Sequence, residues 1–340
     1  MVEFLARGGR LLPVVSGRVR FASGDERTDF FLAACSCDMT FVSRQGASDA
    51  QAGGFMLQQV IAGLQSGSTY AMLALAVVLI LKATDVPNFA TADMGLFPVF
   101  VIWQLIERGL SYWLAVPLGI VFGVVLGLVI ERLVIRPILS ESHFASVLMT
   151  IGVSVVLGSA LQLIWGSEPR RLDAPISGNF KIGDVFITYD QVLIIGLGLA
   201  FMFGLRYFFT TPWGIRMQAV AEDRVTPRLL GVRVGRVFSV SWGLAAAIST
   251  VALLLHTQAS VLTDAAAGPL ILKAFVAATM GGFGSVTGAF LGGLALGVIE
   301  NLSGFYINTG SRAAVAMIFV VVILMAKPDG LFSKARPREV

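Results

Sequence analysis

An apolar run from Leu270 to Leu302 is interrupted at Gly281, Gly282, Gly284 and Ser285, and this interruption limits what the chain can fold into more than any other feature. A run of that length suits a membrane, where every backbone donor and acceptor must be bonded inside the protein. A helix broken at membrane depth survives only where other protein or a water-filled cavity surrounds the break, an arrangement used in solute paths. The predicted fold is all-α: a polytopic transmembrane helical bundle with a re-entrant or broken helix near 270–303. Gly281, Gly282, Gly284 and Ser285 are its candidate hinge.

Composition agrees. Of 340 residues 56% are hydrophobic and 14% charged, and mean hydropathy is +0.81, far from the roughly quarter-charged mixture of a soluble domain. Apolar runs spread almost continuously from Leu57 to Ala326 leave no room for a soluble domain, so 56–330 reads as one membrane domain. Residues 1–55 hold six Arg and six acidic residues without the apolar stretch of a signal peptide, and read as a poorly ordered N-terminal extension. Met56 directly precedes the first long apolar segment and offers a second possible start. Residues 331–340 read as a cytoplasmic tail. The two cysteines, Cys35 and Cys37, lie one residue apart with no further ligand set, so no metal or cofactor is expected. The net charge of +4 is small and gathers in particular loops, which fits lipid headgroups and membrane orientation, not nucleic acid.

A spanning helix needs about 20 mostly apolar residues. Candidates fall at 57–81, 88–106, 113–131, 144–166, 190–209, 237–257, the broken 270–303, and 312–326. Loop 210–236 has five Arg (216, 224, 228, 233 and 236) against Glu222 and Asp223, and is placed in the cytoplasm by the positive-inside rule. The charge-balanced loop 167–189 and the N-terminus then lie outside. The tail, with four basic and two acidic residues from Lys327 onward, also belongs inside, which a single crossing at 270–303 forbids. A chain that dips in from outside, reverses at 281–285, returns and crosses again at 312–326 resolves the conflict. Gly63, Gly67 and Ala71, then Gly119, Gly123 and Gly127, then Gly284, Gly288 and Gly292 recur at helical spacing. In lipid such faces let helix backbones approach closely.

Chemistry on the chain itself finds no support. His143 and His256 are far apart, and the sequence has no HExxH, no GxSxG serine and no GxxxxGK[ST] phosphate loop. The chain is predicted not to be an enzyme, and any ATP must be bound by another subunit. Asp93 is read as the carboxylate well inside a spanning segment, where an uncompensated charge costs about 2.5–3.5 kcal/mol. Two roles fit it: lining a wet path, or accepting hydrogen bonds between helices. The polar set Gln65, Ser66, Ser68, Thr69 and Tyr70 has the same two readings. In loop 210–236, Thr211-Pro212 and Thr226-Pro227 each look like a Thr cap followed by Pro in the first helical turn, so two short helices are expected.

These segments, in order, resemble the inner-membrane permeases of branched-chain amino-acid ABC importers: GSTYAMLALA, PNFATADMG, ERLVIRPI, GIRMQAVAEDRVTPRLLGV, LKAFVAATMGGFGSVTGAFLGGLALGVIE and KPDGLF. The similarity spans about 57–333. It implies a multi-pass protein of the bacterial inner (plasma) membrane that works with ATP-binding subunits, a second homologous permease subunit and an extracytoplasmic substrate-binding protein. It also implies that Arg216, Ala221, Glu222, Asp223, Leu229, Leu230 and Gly231 couple to the ATP-binding subunit. The family's asparagine and carboxylate after the first helix match Asn88 and Asp93, which with Thr69 and Tyr70 are the candidate translocation path. Where many relatives have His-Gly before the carboxylate, this chain has Thr91-Ala92, and Pro98 follows in the same segment. The implied solute is a branched-chain or other small apolar amino acid. A permease for urea, short amides or another small solute, or a stand-alone secondary transporter using Asp93, are the alternatives.

Overall fold

The computed structural model describes residues 49–138, 142–173, 175, 178–182, 185–223, 226–307, 312–327 and 330. The extension up to residue 48 with Cys35 and Cys37, Arg224, and the tail 331–340 lie outside the described residues. The first helix, α1, is Asp49–Thr84, starting ahead of Met56. It is followed by α2 (Thr91–Glu107) and α3 (Tyr112–Ile130). A π-helical turn, Glu131–Ile135, continues α3 into the short α4 (Arg136–Ile138), and α5 is His143–Trp165. Then come α6 (Tyr189–Phe208), α7 (Pro212–Glu222), α8 (Thr226–Leu229) and α9 (Val234–Ala259). The expected broken run is two helices, α10 (Ala267–Gly281) and α11 (Val286–Tyr306), and α12 is Arg312–Ala326.

Among the described residues six helical stretches are long and apolar enough to cross a membrane, within α1, α3–α4, α5, α6, α9 and α11. Burial sorts them into layers. The apolar windows of α1 and α9 are 78% and 72% buried, while those of α3, α5 and α6 are only 22–28% buried. A helix that is apolar all round must be enclosed by protein or by lipid. Residues 71–80 of α1 are enclosed by protein, whereas Phe144, Leu163 and Phe203 project outward as lipid-facing residues do.

The packing repeats itself. α1 packs against α10 and α11, α9 packs against α2 and α3, and within each set the two shorter partners pair with each other. α1 also packs against α9, joining the sets.

Helix ends are closed by local chemistry. Thr188 and Gln191 form a capping box at α6, where the Thr188 N–H donates to Gln191 Oε1 at 3.1 Å. Ser142 caps α5 through Ala145 N–H at 3.2 Å. At the end of α3, Glu131 is fully buried and receives Arg136 Nε at 2.9 Å. Arg136 also donates to the Gly235 carbonyl at 2.7 Å, and Ser239 donates to Glu131 at 2.9 Å, so the π turn is fastened to the first turns of α9.

Loop 167–189 holds an element the sequence did not suggest. Asn179–Ile182 (β1) and Val185–Thr188 (β2) form an antiparallel hairpin with Asn179 opposite Thr188. Gln58 near the start of α1 pins it, donating to the Phe186 carbonyl at 2.8 Å and accepting from its N–H at 3.1 Å. Arg170 in the same loop bridges Leu262, between α9 and α10, by a pair of 2.9 Å backbone bonds.

Candidate functional site

The residues singled out from sequence fall into three places. The break between helices lies where expected. Gly281 ends α10, Gly282 takes φ +92°, a left-handed conformation that suits glycine, and Ser285 caps α11 by accepting from Gly288 N–H at 3.0 Å. α10 and α11 fold back on each other: a Cβ on Gly281 would run into Gly288, and one on Gly292 into the Ala277 carbonyl. Gly284, grouped from sequence with Gly288 and Gly292, instead sits in the turn with open space around it. The segment after α12 reaches this reversal, since a Cβ on Gly330 would lie 2.6 Å from Gly282 Cα.

The second place is the excursion α7–α8 between α6 and α9. Thr211 caps α7 through Gly214 N–H at 3.4 Å, with Pro212 in the first turn. Gly214, Met217 and Val220 face inward, and α7 packs on α1 and α9. The opposite face is solvent-exposed and carries Arg216, Ala221, Glu222 and Asp223. Arg216 lies over the Trp213 ring at 5.4 Å. The second start differs from expectation. Thr226 is the first residue of α8, and its cap is Asp223, which accepts from Thr226 N–H at 3.0 Å and from its hydroxyl. Leu229 and Leu230 are 83% and 79% exposed, and Gly231 turns the chain with φ +82°. Two adjacent leucines this bare on a charged excursion suit contact with another protein or with the membrane surface.

The third place is the bundle interior, where all four path candidates are buried, and here the sequence-selected residues separate. Asn88 is fully buried and builds the start of α2: its Oδ1 accepts from Ala90 N–H at 3.0 Å and its carbonyl accepts from the Thr91 hydroxyl at 2.7 Å. Asp93 stands in the first turn of α2, where the helix end favours a negative charge, and accepts from Ser154 of α5 at 2.5 Å. Thr69 bonds back to the Gln65 carbonyl of its own helix at 3.5 Å. Only Tyr70 of the four meets an ionised partner.

That partner was missed. Lys273 of α10 donates to Tyr70 Oη at 3.0 Å and to Glu300 Oε1 of α11 at 2.7 Å. It also lies 4.9 Å from the Tyr70 ring centroid. His256 of α9 is close enough to interact electrostatically with both charges. Asp93 is thus not the lone carboxylate of the spanning region, because Glu300 lies inside α11 and is only 8% exposed. The available signal was two opposite charges in one apolar run, 27 residues apart on either side of its break.

Comparison with known proteins supplies the setting. A family model described as branched-chain amino acid transport system / permease component matches residues 59–326. The high-affinity branched-chain amino acid transport system permease protein BraD of Pseudomonas aeruginosa is 31% identical over 303 residues, covering 84% of this chain and 98% of that protein. LivH of Escherichia coli K12, with the same description, is 29% identical over 302 residues with the same coverage. A LivH permease of Methanocaldococcus jannaschii is 26% identical over 282 residues, covering 76% of this chain and 87% of that protein.

Proposed function

Taking as premise that this chain belongs to the branched-chain amino acid transport system permease family, we propose that it is the membrane-spanning subunit of an ATP-driven importer for branched-chain amino acids. It is a multi-pass inner-membrane protein. The observation that carries the reading is the match over 59–326, joined to an exposed excursion that presents Glu222, Asp223, Leu229 and Leu230. ATP-binding subunits dock on α7–α8, and because these helices pack on α1 and α9, closure of the ATP-binding pair is transmitted to the two central helices. A second permease subunit completes the membrane part, and an extracytoplasmic protein delivers the solute on the side of the β-hairpin. The hinge between α10 and α11 gates the path. The chain carries out no bond chemistry. It contributes contacts that differ between outward and inward states, without which ATP could not drive the change. The stand-alone transporter reading is not retained, because the family and the relatives matched over most of the chain are permease components of transport systems.

The test is reconstitution of the complete importer in proteoliposomes with [14C]leucine outside. Uptake that requires both ATP and the binding protein is expected; uptake driven by an ion gradient through this chain alone would refute the assignment. Within the same system, the double variant Glu222→Lys, Asp223→Lys should insert and assemble in the bilayer. It should lose nearly all binding-protein-stimulated ATP hydrolysis. Undiminished stimulation would remove the docking role from α7–α8.

A further inference from the structure

A cleft of about 170 Å³ opens beside the Lys273–Glu300 pair, lined by Pro269, Leu272, Val276, Leu296 and Met317 together with the two charged residues. It is smaller than the roughly 300–1,000 Å³ of sites for drug-sized ligands, as a small solute requires. Tyr70, which anchors the pair, is the middle residue of the Met56–Thr84 span, so these charges stand deep in the membrane. Ionised groups at that depth face protein or a wet cavity, not lipid, and by default mark a functional site.

The hydrogen-bond inventory narrows what fits. A lysine ammonium has three donors; Tyr70 and Glu300 Oε1 take two, and the side chain keeps 25% exposure. Glu300 Oε2 is buried and has no partner. A buried carboxylate oxygen left unbonded is costly, so it calls for a donor, from water or from a ligand. The ammonium thus keeps a spare donor and the carboxylate a spare acceptor, both on residues that line the cleft beside aliphatic walls. This is the complement of an α-amino acid zwitterion with an apolar side chain; urea and short amides carry neither charge and need no such walls.

We propose that this cleft is the station at which the permease holds its amino-acid substrate: Lys273 takes the α-carboxylate, Glu300 takes the α-ammonium, and Leu272, Val276, Leu296 and Met317 surround the branched side chain. The proposal rests on the importer reading above and names the substrate contacts within it. Because Lys273 and Glu300 come from helices on either side of the hinge, a substrate bridging them feels any change in the angle between α10 and α11.

The experiment uses the reconstituted importer with leucine and valine as probes. Glu300→Gln keeps the side-chain shape and an acceptor for Lys273. Losing one charge-assisted bond to the substrate should cut leucine uptake about tenfold or more, while ATP hydrolysis stimulated by the binding protein persists. Val276→Phe narrows the cleft without touching either charge and should shift the leucine-to-valine uptake ratio toward valine. Wild-type uptake rates and an unchanged ratio in assembled variants would overturn the station. Should Glu300→Gln fail to assemble, the Val276→Phe ratio decides alone. No ATP-driven uptake of either probe by the wild-type importer would instead defeat the importer reading, and this inference with it.

Discussion

The α1–α10–α11 set and the α9–α2–α3 set follow one packing plan with different contents, and the contrast separates what holds this bundle together from what lets it act. In the first set the seam is backbone against backbone. A Cβ on Gly63 would lie 2.7 Å from Val298 Cα, one on Gly67 would lie 2.9 Å from Leu294 Cα, and one on Gly293 would lie 2.5 Å from Ala71 Cα. In the second set the glycines of α3 chiefly make room for side chains, Ile102 at Gly119 and Thr250 and Pro98 at Gly123, while Gly95 of α2 meets the Ser249 backbone of α9. Polar content differs too. The first set encloses an ion pair with an unbonded oxygen, whereas Asp93 in the second is bonded to Ser154 and stands at a helix start. The first set holds an ion pair within a tight seam; the second holds a carboxylate bonded to a neighbouring helix.

The sharpest way to break this contrast is at Gly297, where a Cβ would strike the Gly67 backbone and the Gly63 carbonyl. Backbone cannot rotate aside, so Gly297→Ala should lower stability by about 1–3 kcal/mol, as overpacking does. Thermal unfolding of the purified protein in detergent reads it, and an unchanged midpoint would mean the seam is looser than described. Next in size, Ser154→Ala removes the bond to Asp93 and should cost about 1–2 kcal/mol, leaving leucine uptake per assembled importer unchanged. A selective loss of uptake would return Asp93 to the path and make the sets functionally alike. Smallest is Gly123→Ala, which meets the Thr250 hydroxyl and the Pro98 ring. A threonine rotamer can change, so a shift well below that of Gly297→Ala is expected in the same unfolding assay.

Much of the architecture was legible because membrane helices announce themselves by length. The helices, the break at 282–285 and the two short helices of 210–236 follow from apolar runs, glycine and Thr-Pro starts, although the candidates at 88–106 and 312–326 form helices of 17 and 15 residues that are not among the six long enough to cross. The stripes Gly63–Gly67 and Gly119–Gly123–Gly127 do mark helix contacts. Spacing identifies a face, however, and says nothing of its partner. Lys273, Glu300 and Tyr70 come from three helices, and only their packing shows that they meet. The hairpin at 179–188 escaped notice because its strands have four residues each, too few for an alternation to stand out, and one pin to Gln58 comes from far along the chain. Asn88 and Asp93 were legible as a constellation, but not their partners: Ala90 and Thr91 for Asn88, and Ser154 of α5 for Asp93.

The contact between Gly330 and Gly282 has a mechanical consequence. Two glycines meeting main chain to main chain leave no slack, so the segment that follows α12 rests on the elbow like a finger on a door hinge. Were α10 and α11 to splay, that finger would have to lift; were it bulky or pressed down, the elbow would be held shut. A residue remote in sequence is thereby seated against the turn between α10 and α11, and any change in the angle between those helices must displace it.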